Sequence, residues 1–383
     1  MRRIFAMLLS LIPLTAAAQA PGSSFVYGLF RDIAAGDKSN IVFVSPMSAS
    51  LALSMTAAGA DGRTQEEMIG ALGFEGMTIK EINGYNHSLM QIFSRDPEGV
   101  VLNVANSIWV SDELPLKRRF VKTVEKQYSA RVSNLDFTSP ASVSVINGWC
   151  SDNTAGRIDK IIERIDPGMM MYLINALYFK GLWQVPFAPE RSGEDIFHGD
   201  AADSEVKFMH NTHEFMHYVG PEASLLEMPY GDGSFVMDVF LPGEGVPVDE
   251  FVTGLDDEAV TVLTGLMRPG RVKVSMPVFK AEYETSLNEV LQQLGIVNAF
   301  TAMADFSGMS KEPLMISDVR QKTFVEVNEK GSEAAAVTSV SVMRASAIAP
   351  EDYVVFDVDR PFVFLIRERT TGTVLFLGMV RNL

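Results

Sequence analysis

The sequence predicts an α+β fold that forms a single domain with large β-sheets. Helical patterns dominate the first half of the chain, strand patterns dominate the second half, and no repeat, low-complexity tract or Gly/Ser-rich linker divides its 383 residues. Hydrophobic residues make up 47% of the chain and charged residues 21%, which is typical of a globular protein rather than a disordered one. The net charge of −16 repels phosphate backbones, so we expect no nucleic-acid partner.

The N-terminal segment 1–18 has the pattern of a secretory signal peptide. Arg2 and Arg3 precede an apolar run at 4–14, which is followed by small residues. We expect cleavage after Ala18 and a mature domain at 19–383. Since no later run is long and apolar enough to span a bilayer, the sequence predicts a secreted or periplasmic protein without membrane insertion. The signal and the cysteine-poor chain are typical of an exported bacterial protein.

The early elements follow one another with short connections. An apolar run predicts a strand at Asn40–Ser45, and residues rich in Ala, Leu and Met predict a helix at Ser48–Ala60. Further helices are predicted at Gln65–Leu72 and at Arg118–Ala130, where apolar residues share one face.

The later elements read as strands. Residues 272–278 alternate between apolar and polar side chains, as expected for a strand with one buried face. Three nearly continuous apolar runs predict strands that are buried on both faces, namely Ser234–Leu241, Pro361–Ile366 and Thr373–Val380.

Motifs for catalysis or cofactor binding are absent from the sequence. There is no Gly-x-Ser-x-Gly nucleophile motif, no complete dinucleotide-binding glycine loop and no phosphate-binding loop. His210, His213 and His217 lie close together, but no carboxylate or cysteine pattern completes a metal site, so we interpret them as solvated histidines. The sequence therefore predicts no enzyme activity, no metal and no cofactor.

Three smaller features have an ordinary structural interpretation. Cys150 is the single cysteine, which excludes a disulfide within the chain, and its surroundings predict a small core residue. Asn86 begins an Asn-x-Ser sequence that matters only in a eukaryotic source. The basic run Lys117, Arg118 and Arg119 is more typical of a solvated helix start than of a polyanion site.

The segment Ser332–Ser346 has an unusual composition for a connection between strands. It contains no proline and no glycine, and its only charges are Glu333 and Arg344. Small residues come first, and β-branched residues then alternate with polar ones. Two interpretations are open: an ordinary connection that begins with a helical turn, or a loop whose composition allows it to become a central strand.

Several blocks in this order resemble the serpin family over nearly the whole mature chain. Besides the hinge sequence at 329–336, they are the strand and helix start at 40–48, the Asn-Ala-x-x-Phe-Lys-Gly-x-Trp strand at 175–183, and the C-terminal blocks 359–362 and 376–378. The resemblance implies a serpin fold, in which a large central sheet accepts a reactive loop, here about 332–352. It also implies a suicide inhibitor of serine proteases, which traps the acyl-enzyme when the cleaved loop inserts.

The resemblance also assigns roles to individual residues. It places the hinge at Glu329, Gly331, Ser332, Glu333, Ala334, Ala335 and Ala336. It places a region where the sheet opens at Ser45, Ser48, Asn175 and Trp183.

Three positions depart from the family pattern. Position 278 is Val, where many relatives have a lysine that pairs with the hinge glutamate, here Glu329. Gln321 stands where relatives often have histidine, and Val337 is bulkier than the usual alanine. We expect the substitution at 278 to alter how easily the sheet opens, and none of the three to block insertion.

The family spacing places the scissile bond fourteen residues after the hinge glycine, at Ala345–Ser346. A small residue before the bond predicts elastase-like or subtilisin-like proteases as partners. A loop that is shorter by one residue moves the bond to follow Arg344 and predicts trypsin-like partners. We expect a monomer, and the alternative function is that of a non-inhibitory serpin acting as carrier or chaperone.

Overall fold

The computed structural model describes residues 21–95, 97–166, 168–332 and 353–383. The predicted signal peptide, hinge residues 333–336 and both predicted scissile bonds lie outside these ranges. The helices of the described chain are α1 (Ser23–Gly36), α2 (Pro46–Ala57), α3 (Gly62–Ala71), α4 (Ile79–Phe93), α5 (Arg118–Tyr128), α6 (Ala141–Asn153), α7 (Val248–Thr253), α8 (Asp257–Leu266) and α9 (Asn288–Gln293).

The strands of the described chain form two sheets. They are β1 (Ile41–Val44), β2 (Val100–Ser111), β3 (Arg131–Leu135), β4 (Met171–Leu182), β5 (Gly193–His198), β6 (Asp203–Val219), β7 (Ala223–Tyr230), β8 (Phe235–Pro242), β9 (Arg268–Pro277), β10 (Phe279–Ser286), β11 (Asp318–Asn328), β12 (Gly331–Ser332), β13 (Val354–Asp357), β14 (Phe362–Glu368) and β15 (Val374–Val380).

Helix α2 lies in the core because nearly every one of its side chains is apolar or small. All of its residues except Ser50 are buried, and it packs against β2 and β4 of one sheet and β15 of the other. The side chain of Ser45 accepts a hydrogen bond from the backbone N–H of Ser48, and Pro46 occupies the first turn, so the start of the helix is fixed. The predicted helix at 48–60 is therefore confirmed, with its start two residues earlier.

The six-stranded sheet has the order β10-β11-β12-β4-β2-β3. Strands β11 and β4 are parallel and pair directly from Asp318–Tyr172 to Phe324–Tyr178. Beyond that point they separate, and β12 lies between them. The sheet is thus closed along most of its centre and open at one end.

The nine-stranded sheet has the order β1-β15-β14-β8-β7-β6-β9-β13, with β5 beside β6. The three apolar runs form β8, β14 and β15, in which nearly every residue is buried, as predicted. On β9, Val272, Val274 and Met276 are buried and Lys273 is exposed, as predicted, but Ser275 is buried too, so the predicted alternation holds only in part.

The expectation that the first half is mostly helical is only partly right. It contains β2 and β4, each 12 residues long, in the centre of the six-stranded sheet. Polar residues such as Asn103, Asn106 and Ser107 interrupt the apolar pattern of β2. Within the described residues, no helix has the length and apolar character needed to cross a bilayer.

Candidate functional site: the hinge and the closed centre of the six-stranded sheet

The predicted hinge begins a short strand in the open end of the six-stranded sheet. After β11 the chain turns at Glu329 and Lys330 and returns as β12. Ser332 pairs with Val327 of β11 on one side and with Gly181 of β4 on the other. Two hinge residues therefore occupy a central-strand position that is antiparallel to both neighbours.

Only glycine fits at position 331. Its φ of +149° lies in a region that side chains rarely adopt, and a Cβ atom there would lie 2.0 Å from the carbonyl oxygen of Gly181. Glycine therefore allows both the backbone conformation and the close approach to β4 at this hinge position.

A buried tyrosine contacts Ser332, and a tryptophan stacks on that tyrosine. The hydroxyl groups of Ser332 and Tyr230 are 2.6 Å apart, and both side chains are fully buried. Burial raises the pKa of Tyr230 above its usual range. The ring of Trp183 stacks on Tyr230 with centroids 4.4 Å apart, and its indole N–H donates to the carbonyl of Asn328 at 2.8 Å. Sequence reasoning found Trp183 but missed Tyr230, which lies 102 residues from the serine.

An ion pair holds the carboxylate of the hinge turn. Glu329 pairs with Lys207 of β6. Partial burial alone would raise the pKa of Glu329, but the ion pair with Lys207 and the backbone N–H of Glu329 itself outweigh this effect, so its pKa is lowered from the usual value. Position 278 is indeed apolar, yet the hinge glutamate has a lysine partner from another strand.

Gln321 bridges the closed centre of the same sheet. Its side-chain oxygen accepts a hydrogen bond from the backbone N–H of Ser45 at 2.8 Å, and its side-chain nitrogen donates to the carbonyl oxygen of Ser45 at 2.8 Å. The same nitrogen lies 3.4 Å from the side-chain oxygen of Asn175 on β4. One buried glutamine thus connects β11 to β4 and to the start of α2.

The predicted sheet-opening residues lie in two separate parts of the sheet. Ser48 and Asn175 both donate to the side-chain oxygen of Asn106 on β2, at 3.2 and 2.6 Å, and the hydroxyl of Ser45 donates to the carbonyl of Leu375 at 2.7 Å. These three residues therefore share one buried polar network with Gln321 and Asn106. Trp183 lies apart from them, beside the hinge. Sequence reasoning missed Asn106, because an isolated asparagine in a strand carries no signal of its partners.

Three further features noted in the sequence are explained by their place in the fold. Cys150 is fully buried and its pKa is raised by burial to about 12, so it is a core residue as predicted. Asn86 is 2% exposed and its side-chain nitrogen lies 3.5 Å from the hydroxyl of Tyr128, so its amide is not accessible to glycosylation in the folded chain. Lys117 donates to the carbonyl of Ser307.

The histidines of β6 lie along one strand of the nine-stranded sheet. Nδ1 of His213 lies 3.2 Å from the carbonyl oxygen of Glu214, and Nδ1 of His217 lies 3.3 Å from that of Phe215. Across the described ranges, no group of three His, Cys, Asp or Glu side chains is arranged to hold a metal ion.

Comparison with known proteins gives matches over nearly the whole chain. Residues 21–383 match the family model described as Serpin (serine protease inhibitor). Neuroserpin from Gallus gallus is 32% identical over 371 residues, which cover 93% of this chain and 89% of neuroserpin. Tengpin, solved as a thermophilic serpin in the native state, has a TM-score of 0.87 at 33% identity and covers 94% of this chain and 93% of tengpin.

A second solved structure is thyroxine-binding globulin in complex with thyroxine. Its TM-score is 0.86 at 27% identity, and the match covers 94% of this chain and 98% of the globulin. The same fold therefore occurs in a thermophilic serpin and in a globulin solved with bound thyroxine.

Proposed function

Because the chain belongs to the serpin family, we propose that it is an irreversible suicide inhibitor of secreted serine proteases. Members of this family are protease inhibitors or carriers rather than enzymes. The catalytic serine of the target attacks the peptide bond in the reactive loop, forms an ester with the loop and releases the amine on the other side. The cleaved loop then inserts into the six-stranded sheet with the protease still attached.

The observation that carries this proposal is the position of β12. Gly331 and Ser332 pair with both β11 and β4, and Ser332 is fully buried between them. The sheet thus accommodates the beginning of the loop as a central strand. If the loop inserts as a continuation of β12, strand alternation places Ala334 and Ala336 on the same buried face as Ser332, where small residues fit.

Hydrogen-bond geometry gives insertion a driving force. Along their closed part, β11 and β4 form a parallel pair, from Asp318–Tyr172 to Phe324–Tyr178. A strand that continues β12 into this part is antiparallel to both neighbours, so one parallel ladder is replaced by two antiparallel ones. Antiparallel pairing is slightly more stable per residue, and the number of ladder hydrogen bonds increases. The network of Gln321 and Asn175 has to rearrange before the strands can separate.

The target class follows from the residue before the scissile bond. With Ala345 at that position, the primary partners are elastase-like or subtilisin-like proteases, because a small side chain suits their pockets. Cleavage after Arg344 instead makes trypsin-like proteases the partners. The protein acts as a secreted or periplasmic monomer without a cofactor, in keeping with the predicted signal peptide.

The alternative is a non-inhibitory carrier or chaperone. Thyroxine-binding globulin shows that this fold occurs in a chain solved with thyroxine. The hinge sequence Ser-Glu-Ala-Ala-Ala favours inhibition, because it has no proline and no bulky residue that would prevent pairing in a sheet.

A protease panel tests the proposal. The mature protein is mixed with elastase-, subtilisin- and trypsin-like enzymes, and the products are boiled in detergent and separated by size. We expect a band with the combined mass of the protease and the inhibitor lacking its C-terminal fragment. Cleavage by every enzyme without any such band would refute inhibition by trapping and favour the carrier.

A further inference from the structure

A lysine from the nine-stranded sheet lies against the hinge turn of the six-stranded sheet. Lys207 on β6 forms an ion pair with Glu329, whose side chain is only 12% exposed. The backbone of the turn is held as well: Phe187 N–H donates to the carbonyl of Glu329 and Trp183 N–H to that of Lys330, both at 2.8 Å. The Lys207–Glu329 pair therefore connects the two sheets at the point where the hinge reverses direction.

The backbone explains why Lys207 can reach this glutamate although position 278 is apolar. The N–H of Val278 donates to the carbonyl oxygen of Lys207 at 2.8 Å, so the two positions are neighbours across adjacent segments. Lys207 on β6 thus supplies beside the hinge the positive charge that many relatives place at position 278.

A second carboxylate lies within reach of the lysine. Glu194 on the neighbouring strand β5 is directly opposite Lys207 in the register, and such residues have Cβ atoms about 5 Å apart. Glu194 is exposed, whereas Glu329 is buried, and charges attract more strongly where water is excluded. A negative charge introduced at position 207 would place three carboxylates side by side.

We propose that Lys207 is a positioning residue for loop insertion, an inference that rests on the proposed function. By holding Glu329, it fixes the turn from which β12 extends, so the cleaved loop enters the sheet in register. Insertion competes with hydrolysis of the acyl-enzyme, in which water cleaves the ester and releases active protease with a cut inhibitor. A loosely held turn slows insertion and shifts the outcome toward hydrolysis.

The test compares Lys207→Glu with Lys207→Arg, with Glu329→Lys and with the charge swap that carries both Lys207→Glu and Glu329→Lys. Lys280→Glu is the matched control, because Lys280 is similarly exposed, lies on the six-stranded sheet and pairs with Glu282. The first readout is hydrogen–deuterium exchange of the backbone amides at 329–332, which needs no protease. The second is the number of inhibitor molecules consumed per protease molecule trapped.

For Lys207→Glu we expect about tenfold faster exchange at 329–332 and severalfold more inhibitor consumed, with both restored by Lys207→Arg and by the charge swap. If Lys207→Glu behaves like Lys280→Glu, or if the swap is as impaired as the two single variants together, the positioning role is wrong. Should the wild-type protein trap no protease at all, the proposed function fails, while the exchange data still decide whether Lys207 holds the turn.

Discussion

The hydroxyl groups of Tyr230 and Ser332 form a hydrogen bond of 2.6 Å, and both side chains are fully buried. The contact connects the last residue of β7 to the last described residue of the hinge. A buried hydroxyl without a partner is costly, so this pair stabilises the first step of the insertion strand.

Replacing Tyr230 with phenylalanine should weaken the docking of β12 by about 1–3 kcal/mol, because the hydroxyl of Ser332 is left buried without a partner. Hydrogen–deuterium exchange at 331–332 measures the effect. The double variant Tyr230→Phe with Ser332→Ala should recover most of the loss, since neither hydroxyl then remains. Unchanged exchange in Tyr230→Phe would mean that the stacked rings of Tyr230 and Trp183 hold the hinge without this hydrogen bond.

Ala334→Pro should abolish the detergent-stable complex while leaving cleavage of the loop intact. Proline removes a ladder donor and fits poorly in the middle of a sheet. Ser332→Arg should have the same effect, because it introduces a charge at a position that is fully buried. Gel electrophoresis of the variants with the protease trapped by the wild-type chain measures both products.

The matched pair Ala334→Arg and Ala335→Arg separates insertion from a general effect of charge in the loop. If the loop inserts as a continuation of β12, strand alternation places position 334 toward the core and position 335 outward. Trapping should be lost in the first variant and retained in the second. For the proline variant of the preceding prediction, Ala334→Pro, the formation of stable complexes would show that loop insertion is not the mechanism.

Ala345→Arg should transfer inhibition toward trypsin-like enzymes, because an acidic primary pocket then binds the residue before the scissile bond. Mass spectrometry of the C-terminal fragment released from the wild-type complex locates the bond. A fragment that begins at Ser346 supports the predicted spacing, and one that begins at Ala345 makes trypsin-like enzymes the targets. A start beyond Ile348 would mean that the hinge spacing misplaces the bond.

Acid should weaken the hold on the hinge turn through Glu329. Because the folded-state pKa of Glu329 is lowered, its carboxylate contributes stability above the usual glutamate pKa, and this contribution is lost as the pH falls through the folded-state value. Between about pH 7 and pH 5, Glu329→Gln should lower the unfolding midpoint of the uncleaved protein by an amount equivalent to at most about 1 kcal/mol, because Lys207 is partly exposed.

Below that range the difference between wild type and Glu329→Gln should shrink toward zero. Thermal unfolding of both proteins across the pH range checks this. Glu326→Gln is a suitable control, because Glu326 lies on β11 near the hinge and its carboxylate is not the one that Lys207 holds. A constant difference down to pH 3 would contradict the role of the ionised carboxylate.

The sequence allowed prediction of those parts of the site whose signal is local. The unusual hinge segment and the buried strands β8, β14 and β15 can be recognised from short stretches of chain. Lys207 and Tyr230 could not be predicted, because their role arises only when strands more than a hundred residues away are placed beside the hinge. Gln321 was noticed as a departure, but its two hydrogen bonds to Ser45 cross 276 residues and depend on the fold.

The buried network that spans the closed part of the six-stranded sheet consists of two serines, two asparagines and a glutamine: Ser45, Ser48, Asn106, Asn175 and Gln321. None of these side chains gains or loses a proton in the range of acidity that a protein meets outside the cell. A histidine in place of Gln321 would gain a proton in mildly acidic medium, and the new charge would weaken this network. Under the proposed function, the opening of this junction would therefore be triggered by the cut that a protease makes, and mild acidification would act on the hinge turn at Glu329 but not on this network.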